Sequence, residues 1–138
     1  GELTNKEEAQ QYVDEHNIRF SLSFGPILVE NGVKQIPNWY TLGEIYDPYP
    51  RAALCQDGEL HYYVITSNSK WPYSQFHNIY TFNDYVAATG CDMAYTLDGG
   101  QTATIAMNHE HINPVQYGSQ RRISDIFYFA TAIPDGGN

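Results

Sequence analysis

The chain has 138 residues, enough for one domain with a hydrophobic core. Its net charge of −9 and only seven Lys and Arg residues argue against nucleic acid as a partner, because phosphate backbones are bound through clustered cations. No apolar run reaches the length of a membrane span.

Thr4-Asn5-Lys6-Glu7 has capping-box spacing, and Ala9, Tyr12, Val13 and His16 follow it at helical spacing. A surface helix ending near Asn17 is predicted. Ile18 to Phe24 alternates apolar and polar side chains, as a half-buried strand does. Gly25-Pro26 interrupts it. Ile27-Leu28-Val29 then leads into Asn31-Gly32, a hairpin signal.

Residues 37–50 form a loop rich in proline and aromatic side chains. Arg51 to Gln56 and Glu59 to Thr66 flank Asp57-Gly58, which predicts a second hairpin. Residues 67–80 are another aromatic loop, with Trp71, Tyr73, Phe76 and Tyr80. Flat rings with polar tips suit pyranose faces, although most of these rings are expected to cap the core. Thr81 is positioned to cap a short helix carrying Phe82, Tyr85, Val86 and Thr89, and Gly90 supplies its stop.

Met93 to Leu97 reads as a buried strand, Asp98-Gly99-Gly100 as a turn, and Thr102 to Met107 as the returning strand. Ile123 to Ile133 reads as the last strand. The pattern predicts an α+β fold with a mixed, mainly antiparallel β-sheet and two short helices, in a single domain over 1–138. Cys55 and Cys91 make no disulfide framework, and their place beside apolar segments favours two buried free thiols over one disulfide.

Two stretches carry the candidate chemistry. In Leu97-Asp98-Gly99-Gly100-Gln101-Thr102 an apolar strand ends on an acid followed by two glycines, whose bare N–H groups suit an anion or a sugar hydroxyl. A plain tight turn is the competing reading. In Arg121-Arg122-Ile123-Ser124-Asp125 a cation stands at the mouth of a strand and an acid lies inside it. Such an acid needs a partner, either as an Arg–Asp brace or as a group that orients Arg121 toward a ligand. Arg51 flanks a strand in the same way, whereas Arg122 reads as a surface charge. His109-Glu110-His111 lacks a third ligand at a recognisable spacing, so no metal and no other cofactor is assigned.

Four segments in order resemble the phosphodiester glycosidase family. They are Ser23-Phe24-Gly25-Pro26-Ile27-Leu28-Val29, Pro50-Arg51-Ala52-Ala53, Leu97-Asp98-Gly99-Gly100-Gln101-Thr102 and Arg121-x-Ile123-Ser124-Asp125. The resemblance covers residues 20–132 and corresponds to the C-terminal portion of that domain. It implies hydrolysis of a sugar-1-phosphodiester at the anomeric carbon, on phosphorylated carbohydrate such as exopolysaccharide, by a secreted or cell-envelope protein. It also implies that an N-terminal segment or a second chain completes the sheet. On this reading Asp98 faces the anomeric carbon, Arg51 and Arg121 grip the phosphate, and Gly99, Gly100, Gln101, Thr102 and Asp125 contact substrate. The alternative is a non-catalytic binding module for phosphorylated glycan or cell-wall polymer.

Overall fold

The computed structural model describes residues 3–35, 40–41, 43–67 and 77–130. Trp39, Trp71, Tyr73, Phe76 and residues 131–133 of the expected last strand lie outside the described residues. The elements are α1 (Lys6–Glu15), β1 (Ile27–Glu30), β2 (Val33–Lys34), β3 (Ala52–Gly58), β4 (His61–Thr66), α2 (Ile79–Ala88), β5 (Met93–Leu97), β6 (Ala106–Met107) and β7 (Glu110–His111). The α+β class with a mainly antiparallel sheet and two short helices holds. β1 to β5 form one sheet in the order β2-β1-β5-β3-β4, and β6 and β7 form a separate two-stranded ribbon. Among the described residues no helix is long and apolar enough to cross a membrane.

α1 starts one residue later than the capping-box spacing predicts. Asn5 is the N-cap, and its side chain accepts the Glu8 N–H at 2.8 Å. Glu8 reaches back to the Thr4 N–H at 2.9 Å and the Thr4 hydroxyl at 2.7 Å. These bonds, the backbone one first, hold the Glu8 carboxyl below its ordinary pKa. No residue of α1 is buried.

α2 begins at Ile79, with Asn78 rather than Thr81 as its cap; Asn78 accepts the Thr81 N–H at 3.0 Å. Its Phe82 and Val86 pack on one face of the sheet against Leu28, Val29, Ala53, Cys55 and Ala94. Full burial of each large aliphatic or aromatic side chain contributes about 1.5–3 kcal/mol. Asn83 is buried in the same layer and donates to the Leu28 and Gln35 carbonyls at 3.0 and 2.5 Å, which pins α2 to β1. Gly90, at φ 83°, ends the helix as expected.

The hairpins form, with one shift of turn. Asn31 and Gly32 both take positive φ, the type I′ geometry their sequence favours. In the second hairpin Gly58 pairs with His61, so Glu59-Leu60 makes the turn, and the irregularity between Gln56 and Gly58 absorbs Asp57. β5 is central but not buried on both sides. Ala94 and Thr96 face the core, whereas Met93 is exposed.

Other expectations fail. Residues 18–24 form no strand. β1 and β5 are already paired on both sides, so the segment meets the open face of the sheet rather than an edge. The Tyr95 hydroxyl tethers it instead, accepting the Phe24 N–H at 3.2 Å and reaching the Leu22 carbonyl at 3.5 Å. Residues 123–130 are likewise outside any strand and exposed. They approach the same face through ring contacts, Phe127 to Phe20 at 6.0 Å and Phe129 to Tyr62 at 6.3 Å. Finally, Cys55 and Cys91 are not free thiols but a disulfide, which ties β3 to the short connection between α2 and β5. Their Cα atoms lie 5.7 Å apart because Cys55 pairs with Ala94 in the ladder, just beyond Cys91. Sequence proximity to apolar runs does not separate a buried thiol from a buried disulfide.

Candidate functional site

One end of the sheet gathers the start of β1, the start of β3 and the end of β5. Two prolines flank β5 there. Thr96 N–H donates to the Pro26 carbonyl at 3.2 Å, and Gly100 N–H donates to the Pro50 carbonyl at 2.8 Å. Asp98 therefore leaves the sheet between two proline-containing segments.

The double glycine answers to sterics. A Cβ on Gly99 would stand 2.5 Å from the Pro50 carbonyl oxygen, so only glycine lets the chain pass. Gly100 has φ +64°, which glycine adopts without penalty. Neither N–H is free, contrary to expectation. Gly99 N–H donates to Asp98 Oδ1 at 2.8 Å, and Gly100 N–H is held by Pro50. A 3-10 turn, Gly100–Thr102, follows; of the strand predicted from Thr102 to Met107 the last two residues form one, as β6, and the Thr102 hydroxyl donates to the Gly99 carbonyl at 2.7 Å.

Arg121 reaches this turn from across a long loop. Its Nη2 donates to Asp98 Oδ2, and the two side chains are about half exposed. The loop is fixed by amides. Asn113 accepts the Ile105 N–H at 2.6 Å and donates to the Ala103 carbonyl at 2.7 Å. Gln101 Nε2 donates to the Ser119 carbonyl at 2.7 Å, and Gln116 is buried beside Gly100. Ser119 thus sits against the glycine turn, and Arg121, two residues on, meets Asp98.

Asn113, Gln116 and Ser119 were missed by sequence reasoning. Asn113-Pro114 and Tyr117-Gly118 mark turns, but their spacing says nothing about the turn they pack against.

Arg51 is placed differently. Its guanidinium is buried and directed away from solvent. Nη2 donates to the carbonyls of Glu44 at 3.1 Å, Ile45 at 2.8 Å and Asp47, and Nε donates to His77 at 3.3 Å. Burial lowers its pKa, and Asp47, Tyr49 and Glu44 push back. Its backbone N–H is held by the Ser67 hydroxyl at 2.7 Å. Arg51 and Asp98 are thus neighbours at the sheet end, where Ala52 pairs with Leu97, but the Arg51 side chain is committed to the loop carbonyls.

Asp125 is not inside an apolar strand. It is exposed and, among the described residues, makes no ion pair; Arg121 has taken Asp98 instead. His109 and His111 are exposed on the β6–β7 ribbon. Among the described residues no three His, Cys, Asp or Glu side chains cluster closely enough to hold a metal ion.

The family profile for Phosphodiester glycosidase matches residues 2–130. The chain belongs to the phosphodiester glycosidase family. It is also similar to the SPbeta prophage-derived uncharacterized protein YomE of Bacillus subtilis (strain 168), at 25% identity over 121 residues. That match covers 88% of this chain and 19% of YomE. In fold it resembles a hypothetical protein from Synechocystis whose crystal structure is known, with a TM-score of 0.60 at 17% identity. The likeness covers 72% of this chain and 19% of that one. The chain therefore spans about a fifth of the length of each of these relatives.

Proposed function

We propose that this family member hydrolyses a sugar-1-phosphodiester at the anomeric carbon, with Asp98 and Arg121 at the centre of the site. The observation that carries the reading is the Asp98–Arg121 ion pair at the end of the central strand, on a turn that only glycine can make. A phosphate monoester is a weakly basic leaving group, so a strong general acid is less necessary than in glycosidases that expel an alcohol. The reaction needs a carboxylate beside the oxocarbenium-like sugar and a cation for the growing phosphate charge. Asp98 supplies the first, as a base toward water or as nucleophile. Arg121 supplies the second, because a half-exposed guanidinium keeps donors available for a bidentate phosphate contact.

Arg51 is proposed to act at one remove. By gathering the loop carbonyls it fixes the Pro50–Arg51 backbone, against which Gly99 and Gly100 are packed. Gln101 and Thr102 hold the turn that aims Asp98, and Asp125 is a polar group on the same exposed segment as Arg121. The disulfide supports an extracellular or cell-envelope setting, since such bonds persist in oxidising compartments.

A second reading is a non-catalytic module that holds phosphorylated glycan. It draws on the inward commitment of Arg51 and of both glycine N–H groups, which leaves a small set of free donors. A chromogenic sugar-1-phosphodiester distinguishes the two. The hydrolase reading expects release of chromophore by the full-length polypeptide and loss of it in Asp98→Asn; equal turnover by the variant overturns the assignment. Binding without turnover in both proteins favours the module.

A further inference from the structure

We propose that the groove beside Gly25-Pro26 binds a neutral sugar unit of the glycan chain adjoining the scissile linkage, which makes the substrate a glycan chain rather than a free sugar diester; this rests on the hydrolase reading above. The groove has a volume of about 480 Å³, ample for a pyranose ring, and is lined by Pro26, Ile27, Glu30, Gln35, Tyr40 and Tyr95 among others. Its composition is amphipathic. Pro26, Ile27 and the two tyrosine rings present apolar surface of the kind that covers the C–H face of a sugar. Around that surface stand groups suited to ring hydroxyls. Among the described residues the Glu30 carboxylate makes no hydrogen bond or ion pair. The Gln35 amide spends one N–H on the Val33 carbonyl at 3.2 Å, while its backbone is anchored by Leu28 and Asn83.

Charge selects the ligand class. Among the described residues no Lys or Arg lines the groove, and Lys34 on the neighbouring strand is engaged by Asp84. An anion in the groove would meet an uncompensated carboxylate, so a second phosphate is disfavoured and an uncharged hexose unit is favoured. Position ties the groove to the site. Pro26, which lines the groove, takes the Thr96 N–H on its carbonyl at 3.2 Å, two residues before Asp98. The walls are also fixed. The Tyr40 hydroxyl donates to the Phe24 carbonyl and the Tyr95 hydroxyl takes the Phe24 N–H, so both rings are held in place.

Neutral trisaccharides (maltotriose, cellotriose and tri-N-acetylchitotriose) provide the test, titrated into the isotope-labelled protein up to their solubility. The expected result is saturable shift changes at Ile27, Glu30, Gln35, Tyr40 and Tyr95 with at least one of them. The double substitution Glu30→Ala, Gln35→Ala is expected to weaken that binding about tenfold or more, with Asp98→Asn and Arg121→Ala binding as the parent does. Absence of saturable changes with all three sugars overturns the proposal. So does a concentration-dependent dimer, seen by light scattering, that protects the same residues, because a second copy is then the occupant. Loss of diester hydrolysis with sugar binding intact removes the catalytic reading and leaves the groove as a glycan site. Intact hydrolysis without sugar binding removes the groove alone.

Discussion

Arg121 Nη2 binds one oxygen of Asp98 while the Gly99 N–H binds the other, so both carboxylate oxygens are oriented by donors 23 residues apart or next in the chain. A carboxylate held in this way has a fixed direction without being buried. It also stays in contact with solvent, where an incoming ligand can reach it.

Asp98→Asn is expected to lower kcat/KM for a sugar-1-phosphodiester by about 10²–10⁴-fold, the range of a positioned acid–base group. The thermal midpoint should hardly move, because a half-exposed pair contributes at most about 1 kcal/mol. Steady-state kinetics and a melting curve on the same preparation check both halves.

Arg121→Lys keeps the charge but loses the planar fork. It should raise KM for the diester more than it lowers stability, and Arg121→Ala should do so more strongly. A variant with unchanged KM would remove Arg121 from phosphate binding.

Arg51 separates structure from binding. Its truncation removes the Arg51 donor from the carbonyls of Ile45 and Asp47 and one of two donors from those of Glu44 and His77, so Arg51→Ala should destabilise the protein by about 2–3 kcal/mol, read by urea unfolding. If the variant is as stable as the parent and fails only in substrate affinity, Arg51 grips phosphate directly.

Gly99→Ala drives a methyl group onto the Pro50 carbonyl, which belongs to the backbone entering β3 and has little room to yield. The cost should be about 1–3 kcal/mol, with displacement of Asp98 and loss of turnover. Reducing the Cys55–Cys91 bond frees a loop with sequence separation 36 and should cost about 4 kcal/mol on the chain-entropy model. Unfolding with and without reductant measures it.

The cap of α1 has a pH signature. The folded pKa of Glu8 lies below the ordinary value of 4.5, so its contribution is complete above that value and declines as pH falls through the lowered folded pKa. α1 amide protection should therefore weaken on acidification below about pH 4.5, and Glu8→Gln should flatten that dependence. Hydrogen exchange at the first turn reports it.

Local chemistry was legible in the letters. Asn31-Gly32 dictated its hairpin, Gly90 its helix stop, and the apolar spacing of Phe82 and Val86 the face that α2 buries. Each depends on residues within a turn or two of one another, and backbone sterics and side-chain period act over that range. Asp98 stood out as a candidate in the same way, as an acid that closes an apolar strand before two glycines. Tertiary structure alone decided its partner. Asp125 stands four residues from Arg121, yet Arg121 pairs with Asp98, because Asn113, Gln101 and buried Gln116 fold the intervening loop onto the glycine turn. The alternating pattern of residues 18–24 likewise announced a strand, but pairing requires a free neighbouring edge, and β1 and β5 have none left. Local propensity is encoded in the sequence beside it, while the choice among distant partners follows from which surfaces and hydrogen-bonding groups the folded sheet leaves open.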